Sequence, residues 1–387
     1  MKITRSGRAA SVALVAALAL TACGSDNNSG SSSSAGGDSS SSSSAAGSSS
    51  SGGGDSTADE CGTTSITAEG STAQGNAIDQ VISDYKDKCS SATVTYNGTG
   101  SGAGIKQFIA KQVNFAGSDS ALKTEAKDGK VEQTEADKAC GSPAWNIPMV
   151  TGPIAVSYNL PGVDKLVLTP AVIADIFNGK ITKWNDTAIA AINKDAKLPA
   201  TDIKPFFRSD ESGTTENFTK YLAASAKDKW TAEPAKKWTG KGEGKAKTAG
   251  VASAVKSTDG GIGYVEWGAA KDNKLSYAQI DNGAGAVELT GESAGKAVAA
   301  AKISGSGNDL KLKLDYATKT AGAYPIILVT YEIVCSKYPD AKVGTSVKSF
   351  LNFFASDEEQ KAIEEIGYAP LPTEISGKVK TAIAAIS

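Results

Sequence analysis

The chain has 387 residues, 40% of them hydrophobic, enough for two or three domains with sizeable cores. Its 40 basic and 42 acidic residues leave a formal charge of −2, which offers no electrostatic footprint for a nucleic-acid partner. It contains no histidine, which excludes Ser-His-Asp and Cys-His catalysis and removes the commonest metal ligand and general base.

Lys2, Arg5 and Arg8 precede an apolar stretch, Ala9 to Leu20, too short to span a bilayer as a permanent helix, so residues 1–22 read as a secretion signal. Leu20-Thr21-Ala22-Cys23-Gly24 is similar to the bacterial lipobox, which implies that Cys23 becomes the lipidated first residue, anchored stably if it carries two or more acyl chains. A plain signal peptide is the alternative. Loss of Lys2, Arg5 and Arg8 leaves 37 basic residues against 42 acidic ones, a charge of −5, so any anion site must work by local geometry. Residues 24–60, almost wholly Ser, Gly, Ala and Asp, form a flexible tether. Its root-mean-square reach is roughly 35 Å.

From Cys61 the composition becomes globular. Ser65 to Glu69 predicts a strand, Gly70 to Ala73 a tight turn, and Gln74 to Lys88 a helix with Ile78, Val81, Ile82 and Tyr85 on one face. A second unit follows: strand Thr93 to Tyr96, glycine-rich loop Asn97 to Gly104, helix Ile105 to Gln112. A third strand, from Val113, runs into the small polar turn Gly117-Ser118-Asp119-Ser120. Successive β-turn-α units argue a parallel, doubly wound sheet with ligands beyond the strand carboxyl ends, where all three turns lie. Residues 122–140 are charged and read as a surface segment.

Trp145 to Leu160 and Tyr324 to Cys335 are the longest extended apolar runs of the mature chain and read as paired crossover strands. Between them come helices at Pro170 to Phe177 and Ile189 to Asn193, and strands at Ile203 to Arg208 and Ile262 to Val265. After them come amphipathic helices at Val347 to Phe354, at Asp357 to Ile366, and near the C-terminus with Ile375, Val379, Ile383 and Ile386 on one side. This predicts a discontinuous first domain, 61–148 plus 323–387, and an inserted second, 149–322, joined by two crossing strands as a hinge. The four cysteines after Cys23 are expected to form two disulfides in an exported chain. Cys61–Cys89 is favoured because a strand and the helix after it run in opposite directions, and Cys140–Cys335 follows by elimination. A metal site is the rival, but no Cys-x-x-Cys spacing occurs.

Arg208-Ser209-Asp210-Glu211-Ser212-Gly213-Thr214-Thr215 stands before a helical pattern. Ser212, Gly213 and Thr214 fall on its first turn, where backbone N–H groups lack partners and the dipole is positive. Arg208 supplies a planar fork suited to a tetrahedral oxyanion, and Asp210 can hold that fork. Ordinary capping is the plainer reading of the same residues. Gly98-Thr99-Gly100-Ser101-Gly102-Ala103 matches the loose dinucleotide pattern, but the same loop shape serves any phosphate-like group, or simply a tight turn. Asp119 is an acid beside an anion site; its ordinary reading is a helix cap. Its functional reading is an acceptor for the P–OH proton that phosphate carries near neutral pH and sulfate lacks, with Arg208 offsetting the cost of its burial.

These stretches together resemble the phosphate-binding proteins of the PstS family, which feed the bacterial high-affinity phosphate ABC importer. The resemblance covers roughly residues 63–372. It is carried by Gly70 to Gln74, Gly98 to Gln107, Phe115 to Asp119, Asp175 to Asp186, Arg208 to Thr215, Gly261 to Glu266 and Gly367 to Pro372. It implies an α/β, two-domain periplasmic-binding-protein-like fold of type II, with doubly wound sheets, a two-strand hinge and the ligand in the interdomain cleft. It implies that Thr72 gives its hydroxyl, Ala73 its backbone N–H and Ser101 a donor, that Asp119 accepts, and that Arg208, Ser212, Gly213 and Thr214 close the site, with Asp210 orienting Arg208. The expected protein is a lipid-anchored, monomeric, extracytoplasmic binding component with no cofactor or metal, whose partners are inorganic phosphate and membrane permease subunits. The alternatives are an exported phosphoryl or ester hydrolase using the same cradle, and a binding protein for phosphonate, sulfate or another oxyanion.

Overall fold

The computed structural model describes residues 61–126 and 129–387; the expected signal, the lipidation site Cys23 and the tether lie outside the described residues. Among the described residues no helix is long and apolar enough to cross a membrane.

The chain opens with β1 (Ile66–Gly70), α1 (Gly75–Lys88), β2 (Val94–Gly98), α2 (Ser101–Ile109), β3 (Phe115–Ser118) and α3 (Glu132–Cys140). β1 lies between β2 and β3 and pairs in parallel with both. Next comes the 16-residue β4 (Ala144–Asn159), then α4 (Pro170–Phe177), β5 (Lys204–Arg208), α5 (Gly213–Ser225), β6 (Glu243–Lys245), α6 (Lys247–Ser257) and β7 (Gly261–Glu266). The chain returns through β8 (Ile327–Cys335) and closes with α7 (Ala341–Phe354), α8 (Asp357–Glu365) and α9 (Thr373–Ala384). The main sheet runs β2-β1-β3-β8-β4-β7-β5-β6. Each end is parallel and the middle is antiparallel, because β8 pairs antiparallel with both β3 and β4, and β4 does so with β7.

β4 and β8 are the two crossover strands. All nine residues of β8 and all but Trp145 and Asn159 of β4 are buried, which explains why they read as unbroken apolar runs instead of alternating ones. Two hydrophobic cores flank this crossing. The first holds Ile78, Val81, Phe115, Phe350, Phe354 and Val379; the second holds Ile154, Phe177, Trp184, Phe218, Tyr264 and Leu328. Aromatic contacts are densest in the second, where Phe218 stacks on Tyr264 with ring centroids 4.5 Å apart and Phe177 meets Phe218 edge-on at 5.3 Å. The pairings Cys61–Cys89 and Cys140–Cys335 are both formed, with Cα–Cα distances of 5.5 and 5.4 Å, each tying an end of a first-core segment to its neighbour.

One expectation is corrected and one extended. The glycine-rich stretch is only half a loop, since α2 begins at Ser101 and not at Ile105. Gly104 is there for close packing: a Cβ on it would lie 2.5 Å from the Glu69 carbonyl oxygen on β1. The charged segment 122–140 ends in a regular helix, α3, which buries Ala136 and Cys140 and stops at Gly141 in the left-handed region, φ 69°. Helix α6 was not anticipated, because Lys247-Thr248-Ala249-Gly250-Val251-Ala252-Ser253 offers little apolar period.

Candidate functional site

The carboxyl ends of β1, β2, β3 and β5 meet. Past β1 come Ser71, Thr72 and Ala73; past β2 comes Ser101, first residue of α2; past β3 comes Asp119; β5 ends in Arg208, and α5 starts at Gly213. Ser71, Ala73, Ser101, Asp119, Arg208, Ser212 and Thr214 are all buried.

Asp119 is at the centre, 3% exposed. Its Oδ1 accepts from the Ser71 and Thr330 hydroxyls, the latter at 2.8 Å, and its Oδ2 from Ser101 at 3.3 Å and Thr214 at 3.4 Å. Burial pushes its carboxyl above the usual range, while the bonds from Ser71 and Thr330, the Arg208 charge and the Ser101 bond pull the other way. Thr330 reaches it from β8 at a register shift: Thr330 faces Val150 of β4 but Tyr331 faces Pro148, so Met149 is the extra residue of a bulge in β4 beside the site.

Arg208 is 2% exposed and fixed from three sides. Its Nε donates to Asp210 Oδ1 at 2.8 Å and its Nη2 pairs with Oδ2, a bidentate bond; its Nη1 donates to the Thr248 hydroxyl at 3.2 Å. Its backbone N–H donates to the Tyr264 hydroxyl at 3.2 Å. Burial raises the Asp210 carboxyl, but the hydrogen bond and charge of Arg208 and the Lys247 N–H outweigh it and hold Asp210 below the usual carboxylate range. Asp210 is therefore the charge that orients Arg208.

Ser212 caps α5, its hydroxyl accepting from Thr215 N–H at 3.2 Å, which leaves its O–H free to donate elsewhere. Gly213 N–H donates to the Ser101 hydroxyl at 3.2 Å. Glycine is required at 213, since a Cβ there would stand 2.6 Å from both Asp119 Cβ and Ser101 Oγ. The Ala73 N–H donates to Ser71 Oγ at 3.0 Å, and Thr72 exchanges a hydroxyl bond with Thr248 at 2.8 Å. All eight sequence-predicted ligands and Asp210 thus fall in one cluster.

Contacts between the two sides of the cleft are numerous. Thr72 with Thr248, Ser101 and Asp119 with Gly213 and Thr214, Gly102 N–H with the Glu211 carbonyl at 3.0 Å, and Lys106 with Glu211 all bridge first-core and second-core elements. Sequence reasoning missed Ser71, Thr248, Thr330 and Asn217, whose amide donates to the Asp119 carbonyl at 2.6 Å. Thr330 was detectable as a hydroxyl in a wholly buried apolar run; Thr248 carried no signal. Chemically the cluster offers one guanidinium, several hydroxyl and backbone donors at a helix start, and one buried carboxylate acceptor.

A family model, the PBP superfamily domain, matches residues 44–358. The chain is 43% identical over 393 residues to "Phosphate-binding protein PstS 3" of Mycobacterium tuberculosis (strain ATCC 25618 / H37Rv), covering 100% of each chain. It is 34% identical over 332 residues to "Phosphate-binding protein PstS" of Xylella fastidiosa (strain Temecula1 / ATCC 700964), covering 84% of this chain and 86% of that one. Among solved structures it is similar to a high affinity periplasmic phosphate-binding protein (PfluDING) bound with phosphate, with TM-score 0.65, 21% identity, 82% of this chain and 93% of that chain covered. A phosphate-binding protein from Stenotrophomonas maltophilia aligns with TM-score 0.61, 20% identity and the same coverage. These structural likenesses establish the periplasmic-binding-protein-like fold.

Proposed function

The chain belongs to the PstS family of phosphate-binding proteins, and from that premise we propose that it captures inorganic phosphate outside the cytoplasm and delivers it to a phosphate ABC importer. Thr72, Ala73 N–H and Ser101 from one side, and Arg208, Ser212, Gly213 and Thr214 from the other, donate to the ion, and Asp119 accepts its P–OH proton. The hydroxyls and N–H groups now bonded to one another turn toward the ion when it enters. The observation that carries this reading is the buried Asp119 carboxylate among four hydroxyls and the start of α5, an acceptor that serves a protonated oxyanion and repels a fully ionised one. Residues 61–148 with 323–387, and 149–322, move as two domains about β4 and β8, so a ligand bridging both favours closure. The lipid on Cys23 tethers the monomer to the outer face of the membrane beside its permease.

Titration of the purified chain with phosphate and then sulfate tests this, followed by the fluorescence of its five tryptophans and by calorimetry. Tight binding of phosphate and none of sulfate is expected. Equal response to both makes the protein a general oxyanion binder, and turnover of a phosphate ester makes it a hydrolase.

A further inference from the structure

Glu332 is the oddest residue of the crossover. It sits in the middle of β8, 0% exposed, and neither carboxylate oxygen has a hydrogen-bond partner. It lies opposite Gly117 of β3 on one side and Ile147 of β4 on the other. Residues paired across strands share a face, and on the Gly117 side a Cβ would meet the Gln74 amide nitrogen at 2.2 Å and the Tyr96 hydroxyl at 2.4 Å. Gln74 is itself fully buried, with both amide atoms unpartnered. A buried carboxyl beside a glutamine and a tyrosine, without a cation, cannot carry charge cheaply.

This polar pocket is wired to Asp119. The Tyr96 hydroxyl donates to the Ser71 carbonyl at 2.8 Å, and the Ser71 side chain donates to Asp119. Two residues before Glu332 on the same strand, Thr330 donates to the same carboxylate oxygen. The titratable groups facing the pocket are Tyr96 from β2, Asp119 from the end of β3 and Asp79 from α1; β4 contributes only Ile147. Burial pushes Glu332 up to about 8; the Gln74 amide beside it pulls the other way, and the Asp119 charge adds a smaller upward push. Tyr96 is pushed well above its ordinary range by burial and by Glu332, so it stays a neutral donor.

We propose that Glu332 is held as the neutral acid, and that this is the condition under which Asp119 can be ionised next to a bound phosphate. Glu332 is thus a positioning residue that sets the alkaline limit of phosphate capture. The inference rests on the phosphate reading above and adds the proton balance to it. With Glu332 neutral, one buried carboxylate faces the ligand. With Glu332 ionised, a second negative charge lies in the same low-dielectric layer and opposes both Asp119 and the phosphate dianion. Binding of the dianion therefore raises the proton affinity of Glu332, and by linkage capture takes up a proton where free Glu332 is ionised.

The test is the pH profile of phosphate affinity from 7 to 10, a range in which phosphate itself remains largely the dianion above pH 8. In the wild type, Kd is expected to rise by up to roughly tenfold per pH unit above about pH 8. In Glu332→Gln, which keeps shape and stays neutral, that limb should vanish. Glu359→Gln is the control, since Glu359 is also buried and pushed up, to about 7, but by burial, Asp84 and Glu358 with no part played by Asp119; its variant should retain the limb. Calorimetry of the wild type at pH 8.5 in buffers of differing ionisation enthalpy gives a second reading that needs no variant: uptake of a fraction of a proton per phosphate. A flat wild-type profile, a limb shared by Glu332→Gln, a limb removed by Glu359→Gln alone, or no proton uptake overturns the role of Glu332 while leaving phosphate binding intact. Failure to bind phosphate at any pH overturns the phosphate reading, and this inference with it.

Discussion

Asp119→Asn isolates the proposed filter from the fold. The amide has the size of the carboxylate; its oxygen can keep the bonds from Ser71 and Thr330, and the Thr214 hydroxyl can rotate to accept from the new NH2 group. What is lost is the charge. A hydrogen bond from P–OH to a carboxylate contributes about 1.5–3 kcal/mol, so phosphate affinity should fall roughly 10- to 150-fold. Sulfate has the opposite response. Its charge equals that of the phosphate dianion, but it brings no proton to the carboxylate, so in the wild type a buried charged acceptor is left unpaired, at a cost of about 1–3 kcal/mol or roughly 5- to 150-fold in affinity. The variant removes that cost, and the two changes multiply to a loss of phosphate-over-sulfate selectivity on the order of 10² to 10⁴. Competition calorimetry with the two ions at neutral pH measures it. Selectivity in Asp119→Asn within a few-fold of the wild type would falsify the proton-acceptor argument, whatever happened to absolute affinity.

Thr248→Val keeps the shape of α6 but removes the bonds to Thr72 and to Arg208, so closure should weaken by about 1–2 kcal/mol, or roughly 5- to 30-fold in phosphate Kd; an unchanged Kd means Thr248 is not a latch. Replacing Cys140 and Cys335 by serine opens a link spanning 195 residues and should cost up to about 5 kcal/mol in the chain-entropy account. The Cys61–Cys89 link spans 28 residues and should cost about 3.5 kcal/mol, so urea midpoints in the reverse order contradict it. Burial pushes Glu266 and Glu332 up to about 8, above their unfolded value, so the native state holds extra protons between about pH 4.5 and 8 and stability declines as pH rises through that window. Glu216 has the opposite sign: burial raises it, but Lys220, Lys236 and Lys123 outweigh burial and hold it at about 2, so its contribution is lost as pH falls below about 4.5. The melting temperature should therefore peak near pH 5; a rise from pH 5 to 8 rules this out.

What was legible in the sequence follows from which interactions are local. The Pro170–Phe177 helix was bounded correctly because Thr169 caps it and Pro170 occupies its first turn, both local signals. The turns after β1, β2, β3 and β5 were legible because small and hydroxylated residues follow β-rich runs, and parallel topology places such turns at one edge. Thr330 and Glu332 lay within a run read only for its apolar character, yet a hydroxyl and a carboxyl in a strand buried on both faces must have a reason to be there. Thr248 is a different case. Its role depends on α6 docking against both β5 and the turn after β1, a long-range arrangement that no window of sequence encodes.

The site also explains how a mildly acidic chain can recognise an anion. Within the cluster one cation, Arg208, stands against two carboxylates, Asp119 and Asp210, so the fixed side-chain charge is negative before any ion enters. At the lip, Lys106 and Lys237 both pair with Glu211, which leaves one positive charge over, carried on exposed side chains where salt screens it. Within the buried cluster, attraction of an anion by net charge is thereby excluded as the basis of affinity. What remains is the set of neutral donors, the hydroxyls of Thr72, Ser101, Ser212 and Thr214 and the N–H groups at the start of α5, desolvated together when the cleft is shut. Such bonds lie beyond the reach of mobile ions, so phosphate affinity should change little between low and high salt, whereas a site that worked by surface charge would weaken steeply over the same range.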